Sequence, residues 1–167
     1  MQTAKADLSA LHLLHRAGQC ADDLFARNVG KSDLTPRQFA VLRMVSKVED
    51  LSQTALVEAT GIDRSTLADI VRRLVDRGLL QRKRTRQDAR TYAVRLTASG
   101  RSAHNSALPA ASTTDDSVLS ALPAGQRKDF LAALQRIVDQ LSADEAKVAP
   151  EATPAKAPAK KAKAKRA

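Results

Sequence analysis

Aromatic residues make up 2% of this 167-residue chain, which has no tryptophan and one tyrosine. Any core must therefore be aliphatic, and the stacking platforms that hold single-stranded nucleic acid are nearly lacking. The single cysteine, Cys20, excludes an intramolecular disulfide and fits a reducing cytoplasm. No apolar run approaches the roughly 18 residues of a membrane span. The opening MQTAKADLSALHLLHRAG is broken by His12, His15 and Arg16, which makes it a poor signal peptide. There is no Gly-rich phosphate loop, no nucleophile elbow and no paired-metal spacing. Three scattered histidines and one cysteine assemble no catalytic constellation. The expectation is a cytoplasmic protein that is not an enzyme and carries no cofactor.

What the chain does have is aliphatic mass and positive charge. Hydrophobic residues reach 43%, and the net charge of +10 gives a pI of about 10.3. Such a balance points to a polyanionic partner, nucleic acid first and an anionic membrane surface second. Residues 149–167, APEATPAKAPAKKAKAKRA, hold six basic residues against one Glu, half of the net charge. Ala, Lys and Pro bury too little apolar surface to offset ordering entropy, so a disordered tail is expected there. Residues 1–148 are expected to form the working domain.

Along that domain the spacing predicts a helix over 5–28, striped by Leu8, Leu11, Leu14 or His15, Gly18 and Phe25, with Gly30 as a stop. In LTPRQFAVLRMV, Thr35 caps the next helix, Pro36 takes its first position, and Gln38 completes a capping box. Phe39, Leu42 and Val45 then point inward. Ser52 caps a short helix bearing Leu56 and Val57, and Gly61 breaks it. Asp63 caps another, with Leu67, Ile70, Val71, Leu74 and Val75 on one stripe and Gly78 as its left-handed exit. Two helices joined by a tight glycine turn make a helix-turn-helix. The outer face of the second holds Arg64, Ser65, Thr66, Ala68, Asp69, Arg72 and Arg73. A solvated surface would look similar, but hydroxyls clustered at the N-terminal end suit base edges and phosphates. Ser65, Thr66 and Arg73 are expected at bases, and Arg64 and Arg72 at phosphates.

Residues 82–91, RKRTRQDART, set Arg82, Lys83, Arg84, Arg86 and Arg90 around one acid, Asp88. Leu79 and Leu80 precede the segment. After it Tyr92, Val94 and Leu96 alternate with Ala93 and Arg95, the period of a half-buried strand. The basic segment thus reads as the tip of a hairpin directly after a reading helix, which is a wing. Asp88, two residues from Arg90, can orient its guanidinium for a narrow minor groove; a rim salt bridge without a role is the alternative.

In order along the chain, LTPRQFAVLRMV, Arg64-Ser-Thr-Leu67, Leu74 with Arg77-Gly-Leu79, Asp88-Ala-Arg90, and Leu96-Thr-Ala-Ser-Gly100 resemble the MarR family of bacterial transcription regulators over about residues 8–142. The resemblance implies a mainly α fold with a small β-hairpin wing: a winged helix-turn-helix over about 35–97, with N- and C-terminal dimerisation helices. Thr97 can cap a helix to about 120, kinked by Pro109. A last helix after Pro123, over about 124–142, stripes Leu131, Leu134, Val138 and Leu141. The terminal helices need a surface to cover them, and a second subunit supplies one.

The resemblance further implies a homodimer on a pseudo-palindromic double-stranded operator, repressing or activating, and a small-molecule pocket between the dimerisation helices and the head. His12 and His15 are candidates for an anionic effector such as an aromatic acid or its thioester, or are plain interface residues. With His104 they make a zinc site conceivable, although no HxxxH or paired cysteine supports it. Cys20 could sense peroxide as in the thiol-based branch of the family, but that branch surrounds its cysteine with tyrosines. A partly buried, inert cysteine is expected instead. A nucleoid-architectural protein is the rival class, because of the Lys/Ala/Pro tail; it needs no recognition helix.

Overall fold

The computed structural model describes residues 9–48, 50–84 and 92–148. Helix α1 spans Ala10–Val29 and begins later than the periodicity suggests, because Ser9 is an N-cap whose hydroxyl accepts from the His12 amide at 3.2 Å. It ends at Gly30, at φ +60°. One 3₁₀ turn, Gly30–Ser32, leads to α2, Pro36–Lys47. Both bonds of the expected capping box are made: the Gln38 amide donates to Thr35 Oγ1, and the Thr35 amide to Gln38 Oε1, each at 3.2 Å.

A two-residue strand β1, Leu51–Ser52, precedes α3, Gln53–Thr60, and α4, Arg64–Asp76. Ser52 and Asp63 cap these helices, and Gly61 and Gly78 take the left-handed conformations of their exits. Strands β2, Leu80–Arg84, and β3, Tyr92–Leu96, pair antiparallel from Leu80↔Leu96 to Arg84↔Tyr92. β1 pairs with the other edge of β3, giving the sheet order β1-β3-β2. The periodicity gives two strands; β1 is too short to show in it.

The alternation in β3 also differs from expectation. Tyr92, read as facing the core, is exposed, while Ala93 is buried. β3 is the central strand, and Ala93, opposite both Ser52 and Lys83, is too small to rise clear of its neighbours.

Helix α5, Ala98–Ser120, runs unbroken through Pro109, and a 3₁₀ turn at Ala124–Gln126 leads to α6, Arg127–Val148. The core is aliphatic, as the composition requires: Leu42, Leu56, Val71, Leu74 and Val94 are fully buried, with Phe25 and Phe39 in ring contact at 5.5 Å. Burying each such side chain contributes about 1.5–3 kcal/mol. Helix α1 packs along α5, where Asn28 Nδ2 donates to Thr114 Oγ1 at 3.4 Å.

The chain divides into two compact units, residues 1–127 and 128–167. In the second, α6 leaves Leu131, Ile137, Val138 and Leu141 exposed. In the first, α1 does the same with Leu11, Leu13 and Leu14. Among the described residues, no helix is long and apolar enough to cross a membrane.

Candidate nucleic-acid interface

Helix α4 buries Leu67, Ile70, Val71 and Leu74 and therefore turns Arg64, Ser65, Arg72 and Arg73 outward, with Thr66 and Asp69 half-exposed beside them. Its first turn is held by Asp63: Oδ1 accepts from Ser65 Oγ at 2.6 Å and from the Thr66 amide at 2.9 Å. The Ser65 bond first, and the Thr66 bonds after it, hold the Asp63 carboxyl well below the usual carboxylate range. Ser65 thus reaches outward with its hydroxyl proton already committed and its lone pairs free to accept.

Further along the same face, Asp69 takes Arg72 on one oxygen at 2.6 Å and Arg73 on the other at 2.7 Å. The Arg72 bond and the nearby Arg73 charge keep Asp69 ionised below its ordinary range, and Asp69 raises Arg72 in return.

Two clasps fix the far end of α4. Arg77 donates from Nη1 to the Asp33 carbonyl at 3.0 Å and to Gln38 Oε1 at 3.3 Å, and from Nη2 to the Ser32 carbonyl at 3.3 Å. Thr97, the N-cap of α5, donates its hydroxyl to the Gly78 carbonyl at 2.6 Å and its amide to the Leu79 carbonyl at 3.1 Å. Gly100 is required here, since a Cβ on it would lie 1.9 Å from the Leu79 carbonyl oxygen. The Leu-Thr-x-x-Gly pattern is therefore a joint between the exit of α4 and the start of α5.

β2 carries Arg82 and Lys83, both exposed, away from α4 toward the wing. The Arg84 side chain and residues Arg86, Asp88 and Arg90 lie outside the described residues, as does the tail 149–167. At the wing's root, Arg95 forms a two-pronged ion pair with Asp50, which precedes β1. That contact, chiefly its hydrogen bond, holds Asp50 below the usual carboxylate range.

Between α3, α4 and β3 lies a cleft of about 280 Å³ lined by residues including Gln53, Thr54, Arg64, Ala68 and Tyr92. Sequence reasoning missed Gln53, Thr54 and Tyr92 as part of this surface. The sole tyrosine, although its periodicity pointed inward, and the Ser52 cap were the available signals. Arg77 stands in the motif at the helix exit, but its role as a clasp left no local signal, because its acceptors lie some 40 residues away in sequence.

The three histidines do not come together. His12 and His15 are exposed on α1, whereas His104 is buried and stacked on Phe39, with ring centroids 5.6 Å apart and planes 8° from parallel. No group of three metal-ligating side chains occurs among the described residues. A cleft of about 560 Å³ between the end of α1 and α5 is lined instead by Val29, Ser32, Ser99, Ser102, Ala103 and Ser106. Cys20, expected to be partly buried, is exposed on α1, because the buried face of that helix is carried by Phe25.

A helix-turn-helix with an arginine- and hydroxyl-bearing second helix, followed at once by an antiparallel hairpin, defines a winged helix-turn-helix protein. The chain belongs to the MarR family of transcriptional regulators. The MarR family model matches residues 32–91. The transcriptional repressor NicR of Pseudomonas putida is 32% identical over 128 residues, 77% of this chain and 81% of that protein. BpsR of Bordetella bronchiseptica, whose DNA binding is regulated by 6-hydroxynicotinic acid, superposes with a TM-score of 0.75 at 29% identity, over 83% of this chain and 99% of that one. The repressor CouR, solved on a 23-mer DNA duplex, gives a TM-score of 0.75 at 27% identity, again over 83% and 99%.

Proposed function

We propose that this regulator is a cytoplasmic homodimeric repressor that reads a pseudo-palindromic operator and releases it on binding a small aromatic acid. The observation that carries the reading is the outward face of α4, where Arg64, Ser65, Thr66, Arg72 and Arg73 stand on a helix fixed at both ends. Ser65, Thr66 and Arg73 meet bases. Arg64 and Arg72 meet phosphates, together with Gln53, Thr54 and Tyr92 across the adjoining cleft. Arg82, Lys83, Arg84, Arg86 and Arg90 of the wing add contacts, with Asp88 orienting Arg90. The apolar faces of α1 and α6 support dimerisation, because monomeric proteins rarely leave such stripes to water.

The likeness to BpsR and its 6-hydroxynicotinic acid supports an aromatic acid as effector; His12 and His15 are the candidates to meet its carboxylate. The test is to select duplexes from a random library with the purified protein and footprint the winners. Two protected half-sites centred about one helical turn apart are expected. Winners no tighter than scrambled DNA would instead favour an architectural role. A thermal-shift screen of aromatic acids and their thioesters then addresses the effector.

A further inference from the structure

Both oxygens of Asp69 are taken by the arginines that follow it, Arg72 and Arg73, and Arg72 reaches on to Asp76 at 3.3 Å. Spacings of three and four residues build this pairing into the helix. Three arginines and two aspartates leave α4 with a net charge of only +1, in a chain that carries +10. Exposed pairs of this kind add little stability. Carboxylates on the face turned to a polyanion therefore need another account.

We propose that Asp69 is a built-in counter-ion that sharpens the sequence selectivity of α4, occupying Arg72 and Arg73 in the free protein and releasing them to DNA that replaces both bonds. This rests on α4 being the DNA-facing helix. Non-specific binding draws on protein cations that displace the cations condensed on phosphates. An arginine neutralised by Asp69 displaces none unless the pair opens, and a carboxylate carried to the backbone is repelled by it. A guanine offers O6 and N7 together, a two-point acceptor able to take over a guanidinium. At a matched site the cost of opening the pairs is recovered by phosphate at Arg72 and guanine at Arg73 together. A random site offers Arg72 its phosphate but leaves Arg73 without a matched base, so there it is recovered only in part. Selectivity arises by penalising the wrong partner. Asp69 acts through the arginines and is a positioning residue.

The experiment is a salt titration of binding by the full chain, on a selected operator and on a random duplex, for the parent, Asp69→Asn, Asp69→Glu, and Arg72→Ala with Arg73→Ala. Asp69→Asn is expected to bind the random duplex several-fold more tightly. Its salt dependence should steepen by about 0.9–1.8 in log–log slope, one or two further phosphates, and the ratio of operator to random affinity should fall. Asp69→Glu, which keeps the charge, should stay near the parent. Asp69→Asn should melt as the parent does, which separates this gain from non-specific binding by an unfolded polycation.

If Asp69→Asn leaves random-duplex affinity and slope unchanged while the double arginine variant loses binding, the counter-ion role is overturned and the reading of α4 stands. The counter-ion role is equally overturned if Asp69→Asn only changes the preferred base at one position, as a carboxylate reading cytosine would. If the double arginine variant binds both duplexes like the parent, the DNA-facing role of α4 falls and takes this inference with it.

Discussion

Thr66 is half-exposed at the first turn of α4, its amide held by Asp63 and its side chain beside Ser65. Replacing it by Ala keeps the amide bond of the cap and removes the methyl and the hydroxyl, which also bonds Asp63. Operator affinity should fall by about 1–3 kcal/mol while affinity for a random duplex stays the same. Equal losses on the two duplexes would refute a base contact. Asp63 itself makes a pH-dependent contribution. Its carboxyl is depressed in the folded chain, so the unfolded chain binds the proton more readily. Its stabilisation is complete above the ordinary carboxylate range and is lost as the pH falls through the folded value. Asn caps as well but does not titrate. The melting temperatures of the parent and Asp63→Asn should therefore converge as pH is lowered below about 4, and a gap that stays constant would contradict the shift.

At the scale of elements, the joint at Leu79, Thr97 and Gly100 sets how α5 leaves the wing. Gly100→Ala would drive a methyl into a backbone carbonyl that has no rotamer with which to retreat. A loss on the order of 3 kcal/mol is expected in chemical denaturation, comparable to the about 2–5 kcal/mol for truncating the fully buried Leu42 to Ala. Gly100→Ala near parental stability would mean that the contact relaxes freely. Local chemistry made most of these elements readable in the sequence: Thr35 with Gln38, Ser52, Asp63, Gly61 and Gly78 act within four residues of themselves, as does Thr97 in capping α5. What stayed hidden depends on partners far away. β1 is a strand only because Val94 and Ala93 lie beside it. Arg77 is a clasp only because the turn before α2 comes within reach, and Ala93 is buried because Ser52 and Lys83 flank it on both edges, whereas Tyr92 pairs with Arg84 alone. Helix phase places His12 and His15 on α1, where both are exposed, but phase alone does not say what encloses a ligand.

For the whole molecule, the charge of α6 and the tail must be separated from its apolar surface. Val138, 57% exposed, lies on the proposed dimer face. Val138→Asp should give monomers by light scattering and lose operator affinity; a monomer that still binds a full operator tightly would refute the arrangement. Deleting 149–167 should instead weaken binding to all duplexes alike and flatten its salt dependence without altering the preferred sequence. Arg90→Ala should do the reverse, weakening the operator far more than random DNA. Loss of sequence preference on removing the tail would exchange the roles assigned to the two basic segments.

The Asp50–Arg95 pair at the root of the wing spans 45 residues of sequence, and that span governs how the head assembles. α3, α4 and the β2–β3 hairpin are joined by neighbours in the chain and can form early. β1 can dock only after the whole intervening segment has been drawn into a closed loop, whose entropy must be met before the edge gains its partner. The β1 edge is therefore the last piece to arrive and the first to leave. In native-state hydrogen exchange, amides of Leu51 and Ser52 should open at lower free energy than those of Val94 and Leu96. Asp50→Asn should speed unfolding while leaving the refolding rate nearly unchanged.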